Sequence, residues 1–249
     1  GATPMTGEFP LRSALLMLIA LAIVGATGTL AARLYGARQG LLSAGLVAVW
    51  VASRQGTVER TLTSARSAGP LTLLMIEGIL IGAIALMIVW IILRVSRGSQ
   101  GSPGRPGTEG ASFVISASTF GFAASLAAVG AVCGAYLIGV EAMKGQVLFA
   151  AFAGSVLAGA ASRFVRHDVG LSGPAALGTF AGVALVGVLG PVWASVWLGD
   201  GVVAAAFAGG LPRVSGIGPS DWLAGALLGV PVGDAWASAM FQSAAPEAT

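Results

Sequence analysis

PLTLLMIEGILIGAIALMIVWIIL, the stretch from Pro70 to Leu93, holds a single ionisable side chain, Glu77, in 24 residues. A helix of that length rises about 36 Å, enough to cross a hydrocarbon layer about 30 Å thick with some tilt. It is apolar on every face, which a helix lying on the core of a water-soluble domain is not. A chain built around such a segment belongs in a bilayer.

The totals agree. Of the 249 residues 56% are hydrophobic and 9% charged, against about 25% charged in ordinary globular chains. Too little charge is present to coat a soluble body, so the class expected is all-α, a polytopic bundle of about six or seven transmembrane helices. The 38 glycines suit close approach of helices in lipid. The basic excess, 13 Lys and Arg over 10 Asp and Glu, does not point to nucleic acid, because the arginines sit at the ends of apolar runs where they anchor helices. Lys144 is the sole lysine, and this Arg bias suggests a GC-rich bacterial genome and hence a bacterial cytoplasmic (inner) membrane. One cysteine, Cys133, gives no disulfide framework or thiolate cluster. One histidine, His167, excludes bis-His haem ligation and His-cluster metal sites.

Outward from Pro70–Leu93, the chain divides into four parts. Residues 1–96 read as a three-helix unit. Its first run, Leu11–Leu34, follows a polar lead without a basic n-region and is expected to be a retained helix rather than a signal peptide. The second run, Gly40–Ala52, is short and is read as a short span. Ser53–Gly69, with Arg54, Glu59, Arg60 and Arg66, reads as a solvated surface loop, with a surface helix as the alternative. Residues 97–111, RGSQGSPGRPGTEGA, form a Gly/Ser/Pro linker. Residues 112–200 give a second three-helix unit with runs Phe113–Val140, Gln146–Ala161 and Pro174–Leu198. In 201–249, Gly201–Leu211 is too short to span and reads as re-entrant or interfacial, and Trp222–Phe241 is a last helix before a polar tail.

The two units echo each other. Ala22-Ile-Val-Gly-Ala26 resembles Ala127-Ala-Val-Gly-Ala131, Gly69-Pro70 matches Gly173-Pro174, and Ser53-Arg54 matches Ser162-Arg163, at offsets of 105, 104 and 109. Two units of three helices joined through water are necessarily inverted, because three is odd. Arg12, Arg54, Arg60, Arg66, Lys144 and Arg213 then fall on one side, facing Arg33, Arg38, Arg94, Arg97, Arg105, Arg163 and Arg166 on the other. That balance does not orient the chain by the positive-inside rule. Short identities in a Gly- and Ala-rich chain also arise by chance.

Four-residue glycine spacings occur at Gly78/Gly82, Gly130/Gly134, Gly178/Gly182 and Gly225/Gly229/Gly233. Such spacings flatten one helix face and are expected to serve helix packing, within this chain first and toward partner subunits second. Glu77, two turns into its span, is either a proton or cation site or a shallow carboxylate paired near the interface; the shallow position is expected. Gly190-Pro191 and the Gly229–Gly233 stretch with Pro231 and Asp234 are kinks or breaks. Glu77, Pro191 and Asp234 thus make up a candidate transport path. His167-Asp168 reads as a solvated cap. The six tryptophans sit near span ends, as an interfacial belt would place them.

No nucleophile–base pair or metal-ligand spacing is present, so no catalytic residue, cofactor or metal is expected and the chain is not read as an enzyme. The expected role is a non-catalytic membrane subunit, contacting lipid and other membrane subunits or a second copy of itself. The alternative is a small channel or secondary transporter with inverted three-helix repeats.

Overall fold

The computed structural model describes residues 10–99, 117–139, 143–163, 171 and 174–243. They form α1 (Pro10–Tyr35), α2 (Ala37–Ser53), α3 (Val58–Ala65), α4 (Gly69–Ser99), α5 (Ala117–Ile138), α6 (Lys144–Arg163), α7 (Pro174–Leu198), α8 (Val202–Phe207) and α9 (Pro219–Ser243). Among the described residues there is no strand, and seven helical stretches are long and apolar enough to cross a membrane. The protein is an all-helical, multi-pass integral membrane protein. In lipid every backbone N–H and C=O needs a partner inside the chain, and a helix supplies them.

Proline opens most of the long helices: Pro10 and Pro219 stand first in α1 and α9, Pro174 first in α7, Pro70 second in α4. There its missing N–H is one that no helical carbonyl would accept. A single residue, Gly36, joins α1 to α2 at φ 92° and ψ 172°, a conformation essentially closed to side-chain-bearing residues. It allows the two helices to fold back at once.

Helix α2 has 17 residues, about 25 Å, at the lower limit for a span. Within the Ser53–Gly69 stretch the helical alternative is the one found. The stretch carries α3, started by Thr57, whose hydroxyl accepts the Arg60 N–H at 3.2 Å, the usual capping device. Val58 and Leu62 of α3 are fully buried with Leu71, Leu74, Ala194, Val202 and Ala206. So α3 and α8 form one apolar lid over the ends of α4 and α7, and Gly201–Leu211 is this lid rather than a re-entrant span. Helix α4 runs on through Ser99, so the linker starts later than Arg97; residues 100–116 lie outside the described set.

The end at which α1 starts is termed here the near end, and the opposite one the far end. α1 runs parallel to α4, as Gly25 on Ile88 and Gly28 on Ile92 show, and antiparallel to α2, with Gly28 on Gly40 and Ala44. α5 likewise runs parallel to α7 (Phe120 on Gly178, Ala124 on Gly182) and antiparallel to α6 (Gly130 on Ala158, Gly134 on Gly154). α9 lies parallel to α6 and antiparallel to α2, filling the space between the two units. The main core joins both units through it: Leu21, Leu41, Ile92, Ala131, Val183, Trp222 and Leu227 belong to one cluster. Large apolar side chains also cover the outside, among them Leu15, Leu30, Leu46, Ile79, Phe122, Val196 and Met240, as lipid requires. Buried hydroxyls bond inside their own helices, Ser155 to Ala151 O at 2.7 Å and Thr179 to Ala175 O at 2.9 Å.

Pro191 and Pro231 do not break their helices; α7 and α9 run through them. Beside Pro191, the Ser215 hydroxyl donates to Gly190 O at 2.7 Å and ties the Arg213–Gly216 turn to that part of α7. Neighbouring groups of this kind make proline tolerable within a spanning helix.

Candidate functional site

The chemistry of the described residues is concentrated on α9. Helix α9 starts after Gly218, and Asp221 in its first turn accepts the Gly218 N–H at 3.1 Å, a carboxylate reaching back to the free donors of a helix start. The same carboxylate, 1% exposed, accepts from Lys144 Nζ at 2.6 Å, across 77 positions of sequence. Lys144 stands first in α6, so this pair bolts the near ends of α6 and α9 together. One residue before Asp221, the Ser220 hydroxyl donates to Gln55 Oε1. Gln55 Nε2 in turn points to Met17 Sδ at 3.5 Å, which extends the joint to α1 and to the α2–α3 connection.

At the far end, Asp234 is fully buried, with Arg38 Nη2 3.4 Å from one carboxylate oxygen and Arg163 Nη1 3.9 Å from the other. Arg38 stands in the first turn of α2 and Arg163 ends α6. One carboxylate thus joins three helices, including one from each unit. Arg163 keeps only 14% of its side-chain surface, whereas Arg38 keeps 49%. Between the two joints, Trp222 to Asp234 spans about 18 Å of helix. Its intervening residues Leu223–Val230 are apolar, and most are buried against α2 and α6.

Glu77 is 3% exposed. It lies near one end of the bundle, at the shallow depth read from the sequence, with its side chain buried rather than facing an interface. The next residue, Gly78, lies against Val188 and Pro219, which places Glu77 at the near end where α4 meets α7 and the start of α9. Pro191 is at the same level on α7, and Asp234 is at the other end of the bundle. The three residues of the candidate transport path are therefore not brought into one continuous site. A small cavity of about 20 Å³ lies between α4, α7 and α9, lined by Gly82, Phe180, Trp222 and Leu227 among others. That is room for roughly one water, and its walls are apolar.

The singled-out glycines all face neighbours within the chain. A methyl group at Gly130 or Gly134 would meet the α6 backbone; at Gly178 or Gly182, α5 carbonyls; at Gly225, Gly229 or Gly233, the α6 backbone again. Gly78 and Gly82 are looser, with nearest atoms at 3.3 and 3.5 Å. These faces are occupied by the chain's own helices and are not available to another subunit.

Sequence reasoning missed the partners. Arg38 reads as a snorkelling anchor, while Lys144 and Asp221 carry no motif; the signal was that Asp221 and Asp234 are the two acidic residues of one apolar helix. It also misplaced Trp222, which is 1% exposed. The other five tryptophans do face outward; Arg54 lies over Trp50 at 5.5 Å, Arg94 lies over Trp90 at 5.1 Å, and Trp193 stacks on Trp197 at 5.9 Å. His167 and Asp168 lie outside the described residues. Among the described residues no group of three or more His, Cys, Asp or Glu is placed to hold a metal ion. The chain was compared with models of known families, with curated proteins and with solved structures, and it matches none of them.

Proposed function

We propose that this protein is a non-catalytic integral membrane subunit, a rigid body around which a larger assembly packs. The observation that carries the proposal is the central helix. Helix α9 fills the space between the two units, is ion-paired at both ends, and leaves beside Trp222 a cavity of about 20 Å³. Its charged groups are spent on joining helices rather than presented to a substrate. Docking in this reading falls to the outer surface. The recess between α1 and α4, about 640 Å³ and lined by Leu18, Gly25, Thr29, Ile84 and Met87 among others, is wide and open to lipid, the shape a partner's spanning helix would fill. A bacterial cytoplasmic membrane is the setting proposed.

Native mass spectrometry from lipid nanodiscs tests this. The expected result is a complex of fixed stoichiometry, heavier than one 24.6 kDa chain, that dissociates when Gly25 in the α1/α4 recess is changed to Trp. A single chain released from every preparation would contradict it.

A second reading, a small channel or secondary transporter, rests on two observations: the two units pair their helices alike, as an inverted repeat would, and Glu77 and Asp234 are buried within spans. Buried carboxylates in spans are functional by default. Solute or proton flux in proteoliposomes that is abolished by Glu77→Gln would favour it over the subunit.

A further inference from the structure

We infer that the groove between α5 and α7 holds one acyl chain of an anionic phospholipid, with the lipid phosphate resting on Arg213. The groove has a volume of about 460 Å³, and its walls are Val129, Val132 and Cys133 of α5 facing Val186, Leu189 and Trp193 of α7. That volume falls in the range of sites that enclose small ligands, about 300–1,000 Å³. Its walls are as apolar as the lipid they face.

The polar end of the groove gives the occupant its identity. Pro212, Arg213 and Val214, on the turn held to α7 by Ser215, close it at the near end. The Arg213 guanidinium lies 4.8 Å over the Tyr136 ring, and its Nη1 donates to Tyr136 O at 2.5 Å. Tyr136 is two residues before the end of α5, the depth at which interfacial tyrosines mark the headgroup layer. A guanidinium has five N–H donors, so one stacked on a ring and bonded through one nitrogen still presents donors outward in a fixed direction. Among the described residues no carboxylate makes an ion pair with Arg213; Glu59 lines the recess behind it. A fixed cation at headgroup depth above an apolar groove matches a phosphate with an acyl chain below it.

The same closure argues against a partner helix. A spanning helix is about 10 Å across and continues through both membrane faces, and the Pro212–Val214 segment stands in its way. The recess between α1 and α4 has no such floor among its lining residues. The lipid site is independent of the subunit reading, since the residues involved belong to a different face.

The test uses the full chain, freed of lipid in detergent, offered phosphatidylglycerol or phosphatidylcholine with identical acyl chains, and read by native mass spectrometry. One phosphatidylglycerol per chain is expected to be retained, roughly fivefold over phosphatidylcholine. Arg213→Gln is expected to remove that preference while the retention of phosphatidylcholine stays unchanged. Val132→Trp, at a side chain 39% exposed to lipid, is expected to fill the groove and displace both lipids. Equal retention of the two lipids by the unaltered protein would overturn the inference. So would an Arg213→Gln variant that keeps the preference, or a dimer of this chain that Val132→Trp separates.

Discussion

Asp234→Ala is expected to lower the stability of the folded bundle by about 3–5 kcal/mol, the usual result of removing one partner from a buried ion pair. The magnitude comes from what remains. Arg163, 14% exposed, and Arg38, 49% exposed, converge on one carboxylate. Without it Arg163, largely buried at the end of α6, loses the carboxylate it faces. Coulomb attraction to Asp234 offsets that desolvation only while the carboxylate is present. The triple replacement Arg38→Met, Asp234→Leu, Arg163→Met removes the charges together and is expected to restore most of the loss. Equilibrium unfolding in mixed micelles reads both variants. An Asp234→Ala protein within about 0.5 kcal/mol of the unaltered one, the range of an ordinary surface substitution, would show that the joint holds nothing.

The second large effect is expected at the glycines, and its sign depends on position. A methyl group at Gly233 would stand 2.0 Å from Val156 O, and at Gly182 2.1 Å from Ala124 O. Those oxygens are backbone of α6 and α5, so relief requires a whole helix to move. Gly233→Ala and Gly182→Ala are each expected to cost about 1–3 kcal/mol or more, as overpacking does. At Gly82 the nearest atom is the Ala184 methyl at 3.5 Å, ordinary contact. There Gly→Ala is expected to be neutral or stabilising by about 0.5–1 kcal/mol, because glycine loses more backbone freedom in a helix than alanine. Thermal unfolding of the three variants side by side is the measurement; equal shifts at Gly82 and Gly233 would contradict the packing described.

These two predictions mark what the sequence could and could not yield. The spans were readable because lipid imposes one rule on every residue of a run, and Pro70–Leu93 satisfies it along its whole length. Glycine spacing showed which helix faces pack closely, since a face without side chains has no other use in lipid. What that spacing lacked was the neighbour, and the neighbour turned out to be the chain itself. The burial of α3 went unread because its apolar residues, Val58 and Leu62, are few among polar ones. They became a buried face only when α8, about 140 residues further on, covered them; the Thr57 cap was the local clue.

The ion pairs were further out of reach. Arg38 and Asp234 are 196 positions apart, and no local pattern distinguishes an arginine that anchors a helix in headgroups from one that turns inward to a carboxylate. Glu77 illustrates the same limit from the other side. Counting turns from Pro70 gave its depth along the helix but not its azimuth, and azimuth decides between interface and interior.

Both readings of function turn on whether water reaches the buried part of α9. Ala224, fully buried there between the two ionic joints, is the place to ask. With Cys133 replaced by alanine, a single cysteine at Ala224 is to be compared in nanodiscs with one at Ser64, an exposed residue of α3, using a small water-soluble thiol reagent applied from both sides. A sealed core predicts complete labelling of Ser64→Cys and none of Ala224→Cys over the same period. Labelling of Ala224→Cys at a rate comparable to Ser64→Cys would mean that a water-filled route runs along α9, and the closed subunit would give way to a conduit.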